Sequence, residues 1–571
     1  MRGLPRVCTP VLLVVPFSLA RSEIEHLMHV DGVAGYLFSS DDPPSAANIA
    51  RITAEGEWLF PAVKARSVVY LGWSRLIRPR RLYEAMLRGM YRVTAIDATG
   101  KWQTQLVPPW YVRYLRTRWN QFQVMRQIEK SRSRVMHWPD TKRATVQAAI
   151  DGVRAKAGAN DNTGPILQVT GSLGAGGAER QLLSTVIGLV ERGHDVQAMC
   201  LNCGHRDMDF YLARLREHVP VFSLGDIAEM LIRSNSVLAD AATKRMQDPR
   251  ILRLVGALPL TLREPVLITT LTFLVLRPSV VHLWQDATNI IGGFAALLAG
   301  VQRIVLAGRS SAPHHFLYHE RYLQPMYRLL LDYPEVILLN NSHAGATSYA
   351  AWLGIPTSRI AVIHNGIDSS VFQAAPGARE RSRAQWGLSG AEPVVGGVLR
   401  LSSEKDPLLW LETAARVRER IPQCRFVLYG DGVMQNEVEA QAQALGLDDV
   451  LLLPGVTDDV PAAIRGFDLL LLTSRHEGLP NVLIEAQSLG CPVVTTAVGG
   501  AAETIDNGKT GWAVSERSAQ ALAERCCDVL LDDAWRSVAQ VSGPEHIDRH
   551  FGLERMLADT RRLYGQLPEG E

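Results

Sequence analysis

The residues 467–486, FDLLLLTSRHEGLPNVLIEA, contain the pattern that decides the fold of this chain. The mainly apolar run at 467–472 is short, which is typical of a buried strand. A turn follows, and an amphipathic helix is predicted to begin near Pro480 or Asn481. A buried strand, a tight turn and a helix together form the repeating unit of a parallel sheet covered by helices.

Two glutamates in this stretch are eight residues apart, Glu477 in the turn and Glu485 in the following helix. The first amides of that helix, at Asn481 and Val482, offer unpaired N–H groups to a ligand. One carboxylate can hold the hydroxyl groups of a sugar, and the other can hold those of a ribose. The alternative, two surface glutamates, is weakened by the apolar strand before them and the amphipathic helix after them.

The alternation of strands and helices extends over most of the chain and restarts after residue 372. It predicts two consecutive α/β units of ~200 residues each, which is the pattern of two Rossmann-like domains. Ligands of such sheets bind beyond the carboxyl ends of the strands, so the cleft between the domains is the expected site. The predicted strands are residues 166–170, 196–201, 280–283, 303–307, 394–398, 425–429, 450–453 and 467–472.

The composition of the 571 residues is that of an ordinary globular protein, with 47% hydrophobic and 21% charged residues. A net charge of +2 excludes a polyelectrolyte role for the whole chain, and seven cysteines favour a reducing compartment. No apolar run reaches the ~18–20 residues that a membrane-spanning helix needs. The apolar run at residues 11–15 is interpreted as a first buried strand, with a short signal peptide as the alternative.

The first 155 residues form an N-terminal extension that precedes a small, polar linker at 155–163. Residues 75–143 contain 16 Lys and Arg but 4 Asp and Glu, together with four tryptophans. This basic stretch is open to three interpretations: a solvated surface, contact with an anionic membrane surface, or nucleic-acid binding. We favour the last one least and expect no nucleic-acid partner. Predicted strands near 68–71 and 93–96 indicate a small α/β module.

Two further loops follow predicted strands. The loop from Gly171 to Arg180 contains four glycines, which allow positive φ and close backbone approach, and it opens a helix whose N-terminus suits a phosphate. In the second loop, Arg400 and Lys405 lie five residues apart and can converge on one diphosphate. Taken alone, the first loop is equally explained as a structural turn and the second as a solvated surface loop.

The ordered set of motifs resembles the retaining, nucleotide-sugar-dependent glycosyltransferases of family 4, which have the GT-B fold. The set covers about residues 166–563 and comprises GGAER at 176–180, HNGID at 364–368, Arg400 with Lys405, the Glu477/Glu485 pair, and GGAAETIDNGKTG at 499–511. The resemblance implies an acceptor-side domain at 164–370, a donor-binding domain at 371–545, and a C-terminal segment at 546–571 that crosses back to the first domain.

The resemblance also implies roles for single residues. Arg400 and Lys405 would bind the donor diphosphate, Glu477 would contact the transferred sugar, and Glu485 would bind the ribose. The loop with Gly176 and Gly177 would reach the donor phosphates from the other domain. The remaining donor-binding residues expected from the motifs are Gly430 and Val456 at the nucleobase and Asn481 and Val482 at the helix start.

At one place the chain departs from the family pattern. Many relatives have a histidine near the acceptor, just after the strand that here reads Val280-Val-His282. Asp286 or Gln285 could take this role, or His282 could simply be buried; we keep Asp286 as the expected catalytic residue. Arg309 also faces the cleft in this topology, with a strand-end cation as the alternative.

The function implied is transfer of a hexosyl-type sugar, with retention, from a nucleotide-diphosphate sugar to a glycan or lipid-linked glycan. We expect a UDP-sugar as co-substrate, no other cofactor, no metal, and a role in surface polysaccharide or glycolipid biosynthesis. The expected location is the cytoplasm, with peripheral attachment to the cytoplasmic face of a membrane left open. The alternatives are a non-catalytic partner-binding protein of the same fold, or a sugar phosphorylase or epimerase.

Overall fold

The computed structural model describes five strands of the N-terminal region and then residues 140–157, 164–203, 209–223, 242, 245–316 and 319–565. Contacts within the chain divide it after Val135 into two compact units. The first unit contains a five-stranded sheet in the order β2-β1-β3-β4-β5, parallel except for the β4–β5 pair. Its strands are β1 Val11–Val14, β2 Val33–Ala34, β3 Ser67–Leu71, β4 Arg92–Ile96 and β5 Trp102–Leu106.

These strands agree with the interpretation of residues 11–15 as a strand and with the strands predicted near 68 and 93. Apart from strand backbone and the start of one helix, the basic stretch at 75–143 lies outside the described residues. The helix Asp140–Ala157 extends into the predicted linker, and its Val146, Ile150 and Val153 are buried in the core of the following domain. Residues 140–157 therefore belong to the second unit.

The second unit begins with a seven-stranded parallel sheet in the order β12-β11-β10-β9-β6-β7-β8. Alternate residues of β6 enter different cores: Leu167 and Val169 lie in one, and Ile166 lies in the other. Both faces of the sheet are therefore covered, as a parallel sheet requires. The strands are β6 Gly164–Thr170, β7 Val196–Cys200, β8 Val221–Ser223, β9 Pro278–Trp284, β10 Ile304–Gly308, β11 Val336–Asn340 and β12 Ile360–Val362.

Helices cover this first sheet, and several begin directly after a strand. The apolar segment at 260–276 is a helix with Pro265 inside it, and no helix in the described part of the chain is long and apolar enough to span a membrane. The helices are Asp140–Ala157, Gly177–Glu191, Leu212–Arg216, Pro249–Ala257, Leu260–Leu276, Asp286–Ala299, Leu323–Leu330 and His343–Leu353.

A second parallel sheet follows, with six strands in the order β15-β14-β13-β16-β17-β18. Its centre depends on a small residue, because a Cβ on Gly396 of β13 would lie 2.2 Å from the ring of Phe467, which stacks on Trp386. Phe467 therefore packs against Gly396 and Trp386 and is not part of the strand. As a result, β16 begins two residues later than predicted. The strands are β13 Val394–Val398, β14 Arg425–Tyr429, β15 Leu451–Gly455, β16 Leu469–Leu472, β17 Val493–Thr496 and β18 Gly511–Val514.

The last helix of the chain follows those of the second domain and packs against the first domain. The final helix, Leu553–Leu563, has Met556 and Leu557 buried in the same core as Ile166 of β6. The prediction of two Rossmann-like parallel-sheet domains is confirmed. The helices are Ala378–Gln385, Pro407–Arg420, Gln435–Ala444, Val460–Gly466, Asn481–Ser488, Ala519–Leu531, Asp533–Phe551 and Leu553–Leu563.

Candidate active site

The carboxylate of Glu477 is held in a fixed position in the turn after β16. Its Oε1 lies 2.5 Å from Nζ of Lys405 and accepts a 2.6 Å hydrogen bond from the Ser474 hydroxyl. Glu477 is 6% exposed, so the negative charge is largely removed from water and is balanced by the Lys405 ammonium. The structure therefore brings together two of the predicted catalytic residues.

Arg400 lies in the same loop as Lys405 but differs from it in environment. Its side chain is 63% exposed, and its nearest carboxylate is Glu404 at 3.9 Å. At the end of this loop, Asp406 has a positive φ of 48° and is ion-paired with Arg475 and Arg517. These ion pairs fix the loop, while Arg400 remains accessible to an anionic ligand.

Glu485, the second glutamate of the pair, is 5% exposed and forms an ion pair with Arg180. Arg180 lies in the first turn of the helix Gly177–Glu191, directly after the glycine-rich loop of the first domain, whereas Glu485 lies in the helix Asn481–Ser488 of the second. Burial raises the pKa of Glu485, and the Arg180 guanidinium opposes that increase. No local pattern predicts this partner, although Arg180 ends the GGAER motif.

The glycine-rich loop approaches the second domain closely at Gly177. Its carbonyl accepts a 3.1 Å hydrogen bond from the Asn481 amide, and a Cβ on Gly177 would lie 2.9 Å from Nδ2 of that amide. None of the four glycines of this loop has a positive φ, and Gly176 is extended at φ −118°. That part of the prediction is wrong: close approach, not left-handed backbone, accounts for Gly177.

Asn365 connects three parts of the site. Its amide donates to the Leu479 carbonyl at 2.9 Å and to the Asn481 side chain at 2.7 Å, and its carbonyl accepts from Arg309 at 2.7 Å. Asn365 is 3% exposed, so these bonds are protected from water. Asn365 belongs to the HNGID motif at 364–368, but no local sequence pattern indicates these three contacts.

The predicted nucleobase region lies at the ends of β14 and β15. Gly430 has a φ of 137°, and a Cβ there would lie 1.8 Å from the Leu399 carbonyl. The backbone after β14 therefore packs directly on the segment that leads into Arg400. Val456 is 65% exposed, an apolar surface that a base could cover. Val482 is half-buried beside Asn481.

Asp286 starts the helix that follows β9, and its carboxylate is engaged by two buried tyrosines. The hydroxyls of Tyr327 and Tyr349 both donate to its Oδ1 at 2.6 Å. Burial raises the pKa of Asp286, and the two hydroxyls oppose that increase. A catalytic role for Asp286 stays a prediction, because these contacts equally describe a carboxylate that braces the helix.

The other two candidates near that position have different surroundings. His282 is 2% exposed, its Nδ1 lies 2.6 Å from the Tyr564 hydroxyl, and its ring stacks on Trp284. Burial lowers the pKa of His282 to about 3, so the ring is neutral. Gln285 has a φ of 72° and donates to Glu179 at 3.2 Å.

One group in the described part of the chain has three potential metal ligands within 4.8 Å of one another: His343, His364 and Glu503. Both oxygens of Glu503 already accept backbone amide hydrogen bonds, from His343 at 2.9 Å and Ala344 at 2.7 Å. The carboxylate thus caps the helix His343–Leu353 from the second domain. That no metal takes part remains a prediction.

The arrangement can bind a nucleoside diphosphate and stabilise charge that develops on it. An exposed Arg400, the Lys405 ammonium and the first amides of the helix Asn481–Ser488 supply positive potential. The buried carboxylate of Glu477 lies beside them and can accept hydrogen bonds from sugar hydroxyls.

Comparisons with known proteins agree with this geometry. A model described as Glycosyltransferase Family 4 matches residues 175–371, and one described as Glycosyl transferases group 1 matches residues 378–542. The Vi polysaccharide biosynthesis protein VipC/TviE of Salmonella typhi is 31% identical over 427 residues, which are 71% of this chain and 72% of that protein.

Two other proteins extend the comparison. An Escherichia coli UDP-Gal:alpha-D-GlcNAc-diphosphoundecaprenol alpha-1,3-galactosyltransferase is 29% identical over 50% of this chain and 74% of its own length. The crystal structure of Anabaena Alr3699/HepE in complex with UDP and glucose superimposes with a TM-score of 0.56 at 20% identity, over 71% of this chain and all of that one. This last likeness shows the fold.

Proposed function

The chain belongs to glycosyltransferase family 4 and is a GT-B glycosyltransferase, and on this premise we propose that it transfers a hexosyl group from a UDP-sugar to a glycan or lipid-linked glycan. The observation that carries the proposal is the Lys405–Glu477 contact of 2.5 Å beside the exposed Arg400. This contact supports the proposal because a carboxylate that can accept hydrogen bonds from sugar hydroxyls lies next to a cation suited to a diphosphate, in the same loop as Arg400.

Cleavage of the donor produces negative charge on the leaving diphosphate and an oxocarbenium-like sugar. Arg400, Lys405 and the amides at the start of the helix Asn481–Ser488 stabilise the first of these charges. Glu477 orients the transferred sugar, and Glu485 takes the ribose hydroxyls. The acceptor hydroxyl attacks on the face from which the diphosphate leaves and gives its proton to the leaving diphosphate oxygen, so the anomeric configuration is retained.

The names of two relatives support the choice of acceptor. The Salmonella protein is named for polysaccharide biosynthesis, and the Escherichia coli enzyme for a diphosphoundecaprenol-linked sugar. We extend this to surface polysaccharide assembly on a lipid-linked glycan at the cytoplasmic face of a membrane. The choice of UDP as the nucleotide is supported by the name of the Escherichia coli enzyme and by the UDP bound in the Alr3699/HepE complex.

The experiment is release of free nucleoside diphosphate from UDP-, GDP- and ADP-sugars, with and without a lipid-linked glycan fraction. Glu477→Ala and Arg400→Ala are the test variants, and Glu412→Ala and Arg416→Ala, exposed on the helix Pro407–Arg420, are their matched controls. We expect release from UDP-sugars that the lipid fraction increases and that the two test variants lose.

A different outcome would favour another function. If no donor releases its nucleotide and no nucleotide raises the Tm, the chain is a partner-binding protein on a transferase fold. The stereochemistry is read separately by NMR of the product, and an inverted anomer would exclude attack on the same face.

A further inference from the structure

Arg309 is a cation at the inner wall of the first domain, directly after β10. Its guanidinium lies 4.5 Å from the Trp284 ring centroid, and one of its N–H groups donates to the neutral amide of Asn365 at 2.7 Å. Both neighbours are buried, Trp284 at 2% and Asn365 at 3% exposed. The side chain is thus held in one orientation by a stacking contact and a hydrogen bond.

The charge of this guanidinium has no counterion among the described residues. No carboxylate oxygen of that part of the chain lies within 4 Å of it, and its buried Nε has no hydrogen-bond partner there. Glu179 is close enough to influence it electrostatically, but its Oε1 accepts from Ser172 and Gln285 instead. Burial lowers the pKa of Arg309 to about 10, a cost that a structural arginine would normally offset with a carboxylate.

Arg309 also lies beside the loop that contains Glu477. A Cβ on Gly478 would lie 2.4 Å from the Arg309 carbonyl, and Ser311, two residues on, donates to the Glu477 carbonyl at 3.2 Å. Through Asn365 the guanidinium is connected to Asn481, at the start of the helix whose amides face the donor. Arg309 therefore lies in the first domain beside the loop that carries Glu477, and close to the start of the helix Asn481–Ser488.

We infer that Arg309 is a third cation of the donor site and receives an oxyanion of the donor, an inference that rests on the proposed function. Two sources have this chemistry: a carboxylate carried by the transferred sugar, and the diphosphate itself. A planar guanidinium can bind either one through two parallel N–H···O bonds. Arg400 and Lys405 already serve the diphosphate from the second domain, which favours the sugar carboxylate.

Four probes distinguish these sources by calorimetric binding: uridine, UDP, UDP-glucose and UDP-glucuronate. The variant is Arg309→Gln, with Arg400→Gln as the comparator at the diphosphate and Arg416→Gln as the exposed control. If the carboxylate is the ligand, wild type prefers the glucuronate donor to the glucose donor, and Arg309→Gln weakens glucuronate binding by about tenfold or more without changing the other three.

If the diphosphate is the ligand, Arg309→Gln weakens UDP and both donors equally, as Arg400→Gln does, and uridine binding is kept. Unchanged affinity for all four probes overturns the inference while leaving the proposed function intact. If Arg309→Gln weakens the binding of all four probes, including uridine, and also lowers the Tm, then Arg309 only supports the fold, and the inference is overturned. A wild-type protein that binds none of the probes overturns the proposed function, and this inference with it.

Discussion

Arg180 of the first domain donates a hydrogen bond to the buried carboxylate of Glu485 in the second domain. The contact joins residues that are 305 positions apart in the chain. It parallels the Lys405–Glu477 contact, so each glutamate of the pair is matched by one cation. If Glu485 binds the ribose as proposed, this ion pair links donor binding to the contact between the domains.

We expect Arg180→Met to lower the free energy of unfolding by about 1–3 kcal/mol, because it leaves Glu485 charged and buried without a partner. The Arg180→Met/Glu485→Gln double variant should be more stable than the single one, since no charge is then left unpaired. The Tm of the three proteins measures this. A double variant less stable than Arg180→Met would contradict the ion-pair interpretation, and Arg416→Met controls for loss of an exposed arginine.

The Arg180–Glu485 ion pair should make the stability of the protein depend on pH. Burial raises the pKa of Glu485 in the folded protein, so its contribution to stability is present at low pH and is lost as the pH rises through that pKa. Removal of Arg180 raises the pKa further. The Tm deficit of Arg180→Met relative to wild type should therefore be larger at pH 8 than at pH 5. A deficit independent of pH would mean that Glu485 is not the group left unpaired.

Substitutions of Lys405 and Glu477 should have different effects on kcat and on the affinity for UDP. Glu477→Gln keeps the side-chain shape but removes the charge near the reacting sugar, so we expect kcat to fall on the order of 10²-fold while UDP still binds. Lys405→Met removes a cation that we propose binds the diphosphate, and it leaves the Glu477 carboxylate without its ion-pair partner. Both UDP affinity and kcat should therefore fall. Donor-saturation kinetics with UDP calorimetry separates the two. Equal losses of UDP affinity in both variants would refute the assignment.

The fold was largely predictable because it follows from local patterns. The strands predicted at 394–398 and 425–429 and the helix at 553–563 coincide with those of the structure. Apolar runs, turns and helical periodicity are properties of neighbouring residues, so one sequence carries them fully. The start of β16 was misplaced because Phe467 packs across the sheet on Gly396, a contact that no local pattern contains.

The residues proposed for the site came from motif order, and their pairings could not be predicted from it. Glu477, Glu485, Arg400 and Lys405 were recognised from motif order, yet nothing in their spacing indicates that Lys405 contacts Glu477. Likewise, the buried Asn365 gains its meaning from Arg309 and Asn481, which lie in different domains. The first pairing depends on β13 and β16 lying side by side in one sheet, and the second depends on how two sheets face each other; a linear pattern contains neither.

Gly430 should tolerate alanine far less than another glycine with a positive φ, Gly446. At Gly430 a Cβ would lie 1.8 Å from the Leu399 carbonyl, whereas Gly446 has a positive φ of 65° and open space around its Cβ position. We expect Gly430→Ala to cost about 2–4 kcal/mol and to weaken UDP binding, because the segment before Arg400 must move. Gly446→Ala should cost about 1 kcal/mol and leave UDP binding intact. Similar Tm losses in both would argue against the packing explanation.

The buried His282 should make the free energy of unfolding fall as the pH decreases below neutrality. Its pKa is about 3 in the folded protein, against ~6.5 for an exposed histidine, so the unfolded chain binds the extra proton first. The stability that neutral His282 contributes is therefore complete above pH 6.5 and is lost as the pH falls towards 3. Between pH 7 and pH 5 the loss should be about 2 kcal/mol.

The measurement is the Tm of wild type and His282→Gln at pH 7, 6 and 5, with His218→Gln as the exposed control. Glutamine can still accept a hydrogen bond from Tyr564 but cannot be protonated, so the Tm of His282→Gln should decrease less steeply towards pH 5 than that of wild type. His218→Gln should follow wild type, because the His218 side chain is exposed. Parallel curves for wild type and His282→Gln would mean that His282 accepts a proton without unfolding, and hence that its ring is reached by water from the site.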